Sequence, residues 1–180
     1  TLWHIRSMRE PQPNTIHLKD YTPPAYVVET VDLDVDIRDD HALVTAKLAV
    51  ARKGAKDQPL VLNGDELELV SVAMDGKVLE KESFKLGAEA LTIPSVPERF
   101  VLETKTRIVP QQNTKLEGLY ATKHGFVTQC EAEGFRRITW YVDRPDVMAR
   151  FTTTVHADKA KYPVLLSNGN LKAQGDEAGG

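Results

Sequence analysis

The chain has one cysteine, Cys130, in 180 residues, so it cannot form an internal disulfide bond. It also lacks an excess of basic residues, because 23 Lys and Arg stand against 26 Asp and Glu, for a net charge of -3. This balance offers no broad positive field to a phosphate backbone, and we expect no nucleic-acid partner. The cysteine usage fits a reducing compartment, so we expect a cytoplasmic protein.

Long apolar runs are missing as well. No stretch approaches the roughly 20 apolar residues of a membrane-spanning helix, and the first residues lack the pattern of a secretory signal. We therefore expect no membrane partner. Residues 1–7 have neither periodicity nor turn residues, and we interpret them as a tag or an upstream extension. Residues 8–25 are interpreted as an extended N-terminal arm, followed by a single β-sandwich domain over residues 26–180.

Alternation of apolar and polar side chains is the main local pattern. It is strict in residues 31–37, where three aspartates face one way, and it returns in residues 44–50 after a turn at 39–41. Together these residues predict an antiparallel hairpin. Further short strands are predicted at residues 60–62, 67–74, 78–79, 90–93, 100–108, 126–130, 138–141, 151–157 and 164–166.

Strands spaced by roughly 8 to 12 residues and separated by turn residues are typical of a sandwich. No window long enough for a helix has a 3.6-residue period, although residues 143–150 could form one helical turn with Pro145 at its first position. The predicted fold class is all-β: an antiparallel β-sandwich with at most one or two short helical turns.

Signals for a metal or a nucleophile are weak. The aspartates of residues 31–37 have the spacing that opens an EF-hand loop, but Ile37 and Leu43 occupy the positions that need glycine and glutamate. None of the five histidines belongs to a cluster with zinc-ligand spacing, and we expect no metal site in this chain. Cys130 lies at the apolar end of a predicted strand, and we expect it to pack rather than to react.

The segment 129–145 mixes acidic, basic and aromatic residues more densely than any other. In an extended strand Gln129 and Glu131 would project to the same face, about 6.5–7 Å apart. An amide carbonyl and a carboxylate placed in this way can bind a protonated amine. Alternatively, Glu131 and Glu133 pair with the two arginines that follow and lock the loop. Residue chemistry by itself leaves both hypotheses open.

The same segment resembles the N-terminal domain of the aminopeptidase N family of zinc-dependent exopeptidases. The shared pattern is Gln-x-Glu, then one or two arginines, then Asp-x-Pro. It is filled here by Gln129, Glu131, Arg136, Arg137, Asp143 and Pro145. The Leu-Glu-Gly-Leu-Tyr of residues 116–120 is similar to the family's strand lead-in. The likeness is closest to the bacterial branch and covers residues 8–180.

The resemblance implies a saddle-like β domain in which Glu131 binds the free α-amino group of a peptide substrate and Gln129 lines the pocket for its first side chain. The family's His-Glu-x-x-His helix is absent, so the sequence is expected to stop before the catalytic zinc domain. Zinc is then expected in the full-length parent and not in this chain. We predict that the chain has no catalytic residue of its own and is inactive alone.

The partners that the resemblance implies are the N-terminus of a peptide substrate and the missing catalytic domain of the same polypeptide. A different hypothesis is a stand-alone, non-catalytic β-sandwich module that binds a peptide or a protein through the same acidic residues.

Overall fold

A computed structural model describes residues 17–178 and 180. The predicted extension at residues 1–7 and the first half of the predicted arm lie outside these residues. In the rest of the arm, Leu18–Asp20 form a 3-10 helix without buried residues. The arm contacts the domain through Tyr21, whose hydroxyl donates to Asp146 Oδ2 at 3.1 Å. The division into arm and domain stays a prediction.

Strands dominate the described residues, which form three sheets. In chain order the strands are β1 (Tyr26–Ile37), β2 (Ala42–Arg52), β3 (Leu60–Asn63), β4 (Glu68–Met74), β5 (Lys77–Val78), β6 (Lys85–Leu86), β7 (Ala90–Ile93), β8 (Arg99–Ile108), β9 (Gly118–Thr122), β10 (Gly125–Gln129) and β11 (Arg150–His156). A six-stranded sheet has the order β11-β1-β2-β8-β4-β5, a three-stranded sheet has the order β3-β7-β6, and β9 pairs with β10. The all-β prediction is confirmed.

The predicted hairpin is formed by β1 and β2. The two strands are antiparallel, with Val31 opposite Leu48 and Leu33 opposite Ala46. These apolar side chains are buried, whereas Asp32 on the other face is exposed. Because the side-chain period of a strand is two, the alternation in the sequence fixes which face turns to the core.

The core lies between the six-stranded and the three-stranded sheets. Leu60 and Leu62 of β3 and Leu91 and Ile93 of β7 belong to the same buried cluster as the apolar residues of β1, β2 and β8. Burial of one such side chain stabilises the fold by about 1.5–3 kcal/mol before the loss of conformational entropy is counted. Shared burial between two sheets is the arrangement of a sandwich.

One strand pair departs from the antiparallel prediction. Strand β11 pairs with β1 in parallel, with Val31 opposite Phe151. Parallel neighbours need a long connection between them. In chain order β11 comes last, after the other ten described strands. Residues 151–157 were predicted to be a strand from their composition, which does not encode the strand's direction.

Residues 138–141 do not form the predicted strand. The chain leaves a 3-10 helix, Phe135–Arg137, and the amide of Ile138 donates to Phe135 O at 2.9 Å. All four residues are buried, and Tyr141 makes a single bridge to Asn63. Consecutive burial removes the exposed face of a surface strand. The amides of Ile138 and Thr139 donate to Phe135 O in a local turn, and Tyr141 exchanges backbone hydrogen bonds with Asn63.

Residues 164–166, also predicted to be a strand, have no regular structure, and Val164 and Leu166 are 71% and 86% exposed. None of the described strands pairs with this run. The helical turn predicted for residues 143–150 is a single tight turn, in which Val147 N donates to Arg144 O at 3.1 Å.

The remaining differences are short elements. Strand β6 was not predicted, and β9 was indicated only by the family resemblance. Four 3-10 helices of three residues occur where at most one or two helical turns were predicted: Leu18–Asp20, Lys81–Ser83, Pro110–Gln112 and Phe135–Arg137. None of the helices in residues 17–178 and 180 has the length and apolar character that crossing a membrane requires.

Candidate functional site

The turn at residues 131–134 follows directly on β10, which ends at Gln129. It is closed by a hydrogen bond from Gly134 N to Cys130 O of 2.8 Å, and its peptide bond between Glu131 and Ala132 is cis. The extended geometry predicted for Gln129 and Glu131 is therefore not found, because the strand stops between them. A Cβ at Gly134 would lie 2.8 Å from Gln129 O, so only glycine lets the chain fold back this tightly.

Gln129 is the last residue of β10 and Glu131 lies in the turn that follows, and both are exposed. Within residues 17–178 and 180, neither side chain has a hydrogen bond or an ion pair. A carboxylate and an amide left in this state can accept hydrogen bonds from a ligand, and the carboxylate can also neutralise a positive charge.

The loop-locking alternative holds for one of its two glutamates, Glu133. Glu133 Oε2 accepts from Arg136 Nη2 at 2.8 Å, so this acid is paired within the turn. Arg137 pairs instead with Asp65 and Glu66, in the loop that follows β3. Of the two acids for which locking was considered, Glu133 locks the turn and Glu131 does not.

Arg136 also binds the end of the segment. Its Nε donates to Asp143 Oδ2 at 3.0 Å, its backbone N–H donates to the same oxygen at 3.0 Å, and Nη2 donates to Asp143 O at 2.9 Å. The side chain of Asp143 is only 9% exposed. Hydrogen bonds between charged groups are about twice as strong as neutral ones, so this pair holds the two ends of residues 136–143 together.

Arg137, the residue after Arg136, is buried and ion-paired. Its side chain is 2% exposed, and its two terminal nitrogens donate to Asp65 and Glu66. Strand β9 passes close to it at Gly118, which has a φ of 70°, and a Cβ there would lie 2.6 Å from Arg137 Cβ. The positive φ and the close approach both require glycine.

Aromatic side chains lie behind the turn. The ring of Phe135 meets Tyr141 edge-to-face with centroids 5.0 Å apart, and it meets Phe151 in the same way at 5.6 Å. Such pairs contribute about 0.5–1.5 kcal/mol beyond the area they bury. Burial, with a further contribution from the charge of Asp143, raises the pKa of Tyr141 to about 12.

Cys130 packs as the sequence predicted. It is half-buried against the hydrophobic core. Burial raises the pKa of its thiol to about 11, and the negative charge of Asp143 acts in the same direction. The thiolate is the nucleophilic form, so at neutral pH this cysteine is held in the unreactive state.

We expect Cys130 to resist alkylation in the folded chain. A rise in thiol pKa from 9.0 to about 11 leaves about 100-fold less thiolate at pH 8. Iodoacetamide should therefore modify the native chain about 100-fold more slowly than the urea-unfolded chain, and the native rate should rise about tenfold per pH unit up to pH 10. Equal rates for the native and unfolded chains at pH 8 would contradict this assignment.

Gln129 and Glu131 lie on the exposed surface of the described residues. Neither the cleft of about 740 Å³ beside Asp34 nor the cleft of about 620 Å³ beside Asp65 is lined by Gln129 or Glu131, although Arg137 lines the second. Among residues 17–178 and 180, no three His, Cys, Asp or Glu side chains lie together as metal ligands. One acidic wall of this kind can orient a ligand, but a small-molecule site needs further walls around it.

The sequence predicts Gln129, Glu131 and the arginines as parts of this site but gives no indication that Asp65 or Glu66 belongs to it. The ion pairs of Arg137 join residues 72 and 71 positions apart in the chain. A signal was present in the Asn-Gly-Asp turn at residues 63–65, which marks a loop but does not show its partner.

Comparison with known proteins gives consistent matches. Residues 22–180 match the family described as the peptidase M1 N-terminal domain. The chain is 47% identical over 173 residues to aminopeptidase N of Caulobacter vibrioides, covering 96% of this chain and 20% of that protein. It is 49% identical over 165 residues to aminopeptidase N of Escherichia coli, covering 92% and 19% of the two chains. The chain thus spans about a fifth of the length of the curated relatives that it matches.

Solved structures show the same similarity. Aminopeptidase A of Legionella pneumophila in complex with aspartic acid has a TM-score of 0.80 and 34% identity, over 87% of this chain and 19% of that one. An M1 zinc metallopeptidase from Deinococcus radiodurans has a TM-score of 0.61 and 17% identity, over 74% and 32% of the two chains, which shows a shared fold alone.

Proposed function

The chain belongs to the peptidase M1 N-terminal domain family, and from this premise we propose that it forms one wall of the substrate site of a zinc-dependent aminopeptidase. The proposed parent enzyme removes N-terminal amino acids from peptides. In this proposal Glu131 binds the free α-amino group of the substrate, and Gln129 lines the pocket for its first side chain.

The observation that carries the proposal is the state of Glu131. It is exposed on a tightly closed turn, and no described cation neutralises it, although its neighbour Glu133 is paired with Arg136 at 2.8 Å. A protonated amine can supply the missing charge and up to three hydrogen-bond donors. The amide of Gln129, at the end of β10, adds a neutral acceptor or donor beside the bound amine.

The roles left to this chain are binding and orientation. Its described residues do not fit a zinc site, because no set of three potential ligands converges. In the proposed parent enzyme, zinc would be held by another part of the polypeptide and would supply the Lewis-acid chemistry of peptide hydrolysis. Glu131 sets where the substrate's N-terminus lies and so which peptide bond is presented, and the chain alone is expected to be inactive.

Replacing Glu131 with alanine in the full-length parent enzyme tests this role. The loss of a charge-assisted contact should cost about 1.5–3 kcal/mol of transition-state stabilisation. It should therefore lower kcat/KM on an amino-acid anilide about 10- to 150-fold. The matched control is Glu103→Ala, which removes a glutamate from β8 that pairs with Lys47 at 3.3 Å. Its kinetics should match the unmodified enzyme. Unchanged kcat/KM for Glu131→Ala would contradict the proposed function.

A further inference from the structure

The Arg136–Asp143 pair lies directly behind the turn that carries Glu131. Two donors of Arg136, the backbone N–H and Nε, converge on one oxygen, Asp143 Oδ2, each at 3.0 Å. A third donor, Nη2, reaches Asp143 O at 2.9 Å. The guanidinium is planar and rigid, so these contacts fix its orientation as well as its position.

The guanidinium of Arg136 also pairs with one of the two acids of the turn and not with the other. Its Nη2 also donates to Glu133 Oε2 at 2.8 Å, which neutralises that carboxylate. Glu131, two residues earlier, has no such partner among the described residues. The turn therefore presents one unpaired negative charge, at Glu131, as long as Arg136 stays in place.

The Arg136–Asp143 pair is also hydrogen-bonded to Asn63 and Asp65, at the end of β3 and in the loop after it. Asp65 N donates to Arg136 O at 2.9 Å, and Asp143 N donates to Asn63 Oδ1 at 3.2 Å. Asn63 is the last residue of β3, a strand of the three-stranded sheet. A continuous set of hydrogen bonds thus runs from that sheet to the exposed turn.

We propose that Asp143 is a positioning residue for Glu131: it holds Arg136 so that the 131–134 turn keeps one orientation and Glu131 remains its one unpaired acid. Asp143 is buried and does not reach the turn's outer surface itself. It acts through Arg136 and Glu131. This inference rests on the proposed function of Glu131 and adds a residue to that site.

A double-mutant cycle in the full-length parent enzyme tests the inference. Asp143→Asn keeps the size of the side chain but removes the negative charge, so the hydrogen bonds from Arg136 N–H and Nε lose their ionised acceptor. It should lower kcat/KM on an amino-acid anilide about 10- to 100-fold, because small displacements of a binding group have effects of this order. In the Glu131→Ala background the same change should lower kcat/KM less than about twofold, since the group it positions is already missing.

A second variant, Arg136→Lys, tests the same inference in case Asp143→Asn does not fold. Arg136→Lys keeps the positive charge but has one nitrogen where the guanidinium has three, so it cannot bind Asp143 and Glu133 in the same arrangement. It should show the same dependence on Glu131. The matched control is Asp146→Asn, which breaks the nearby Arg144–Asp146 pair, with a distance of 2.7 Å, and should leave kcat/KM unchanged.

The outcomes separate the two proposals. Equal losses for Asp143→Asn or Arg136→Lys with and without Glu131, or no loss in either background, would overturn the positioning role alone. A Glu131→Ala enzyme with unchanged kcat/KM would overturn the proposed function, and the positioning role with it. Non-additive losses for both variants would support the inference, because a general loss of stability is expected to be additive.

Discussion

Replacing Trp140 with alanine should lower the free energy of unfolding of the chain by about 3–5 kcal/mol. The indole is 1% exposed and is the largest fully buried side chain among the described residues. It packs against Gly64, where an added Cβ would clash with the six-membered part of the indole ring. Alanine leaves a cavity that a sheet-bounded core closes only in part. Urea unfolding followed by circular dichroism measures the loss.

Two companion variants separate the causes of this loss. Trp140→Phe keeps an aromatic ring and removes the indole N–H, which has no hydrogen-bond partner among the described residues, so its loss should be clearly smaller. Gly64→Ala should destabilise the native chain by about 1–3 kcal/mol through overpacking. The same change should have little effect in the Trp140→Ala background. A Gly64→Ala loss of equal size in both backgrounds would rule out their contact as the cause.

The strands with the strictest alternation were the most predictable part of the fold. Strands β1 and β2 bury one face, so their sequence carries the period of two directly. Residues 138–141 have the same strand-forming composition, but their backbone partners are Phe135 and Asn63, which no local pattern indicates. Strand direction, as in the parallel pairing of β11, is equally invisible to local periodicity.

The candidate site was predictable in its residue types and not in its pairing. Residue chemistry marked Gln129, Glu131 and the two arginines, but it left both substrate binding and loop locking open. The structure separates the two acids: Glu133 pairs with Arg136 within the turn, whereas Glu131, beyond the end of β10, has no partner among the described residues. The acids that hold Arg137 come from a loop 72 and 71 positions away. Such long-range pairs depend on the packing of the sheets.

Removing both acids that hold Arg137, in the variant Asp65→Ala with Glu66→Ala, should destabilise the chain by about 3–5 kcal/mol. The guanidinium is 2% exposed, so its charge would stay buried without an acceptor among the described residues. Lys115, 3.8 Å from Asp65 and 55% exposed, provides the contrast. Lys115→Ala should change the free energy of unfolding by less than about 1 kcal/mol, because exposed pairs contribute little.

Adding Arg137→Met to the double variant distinguishes a buried charge from lost packing. In the unmodified chain Arg137→Met should destabilise, since it removes charge-assisted hydrogen bonds to Asp65 and Glu66. In the double variant it should instead recover part of the stability, because it removes the uncompensated charge and keeps an apolar side chain of similar length. The measured quantity is the midpoint and slope of urea unfolding for the four chains. If Arg137→Met destabilised both backgrounds equally, Asp65 and Glu66 would not be the groups that make this buried arginine tolerable.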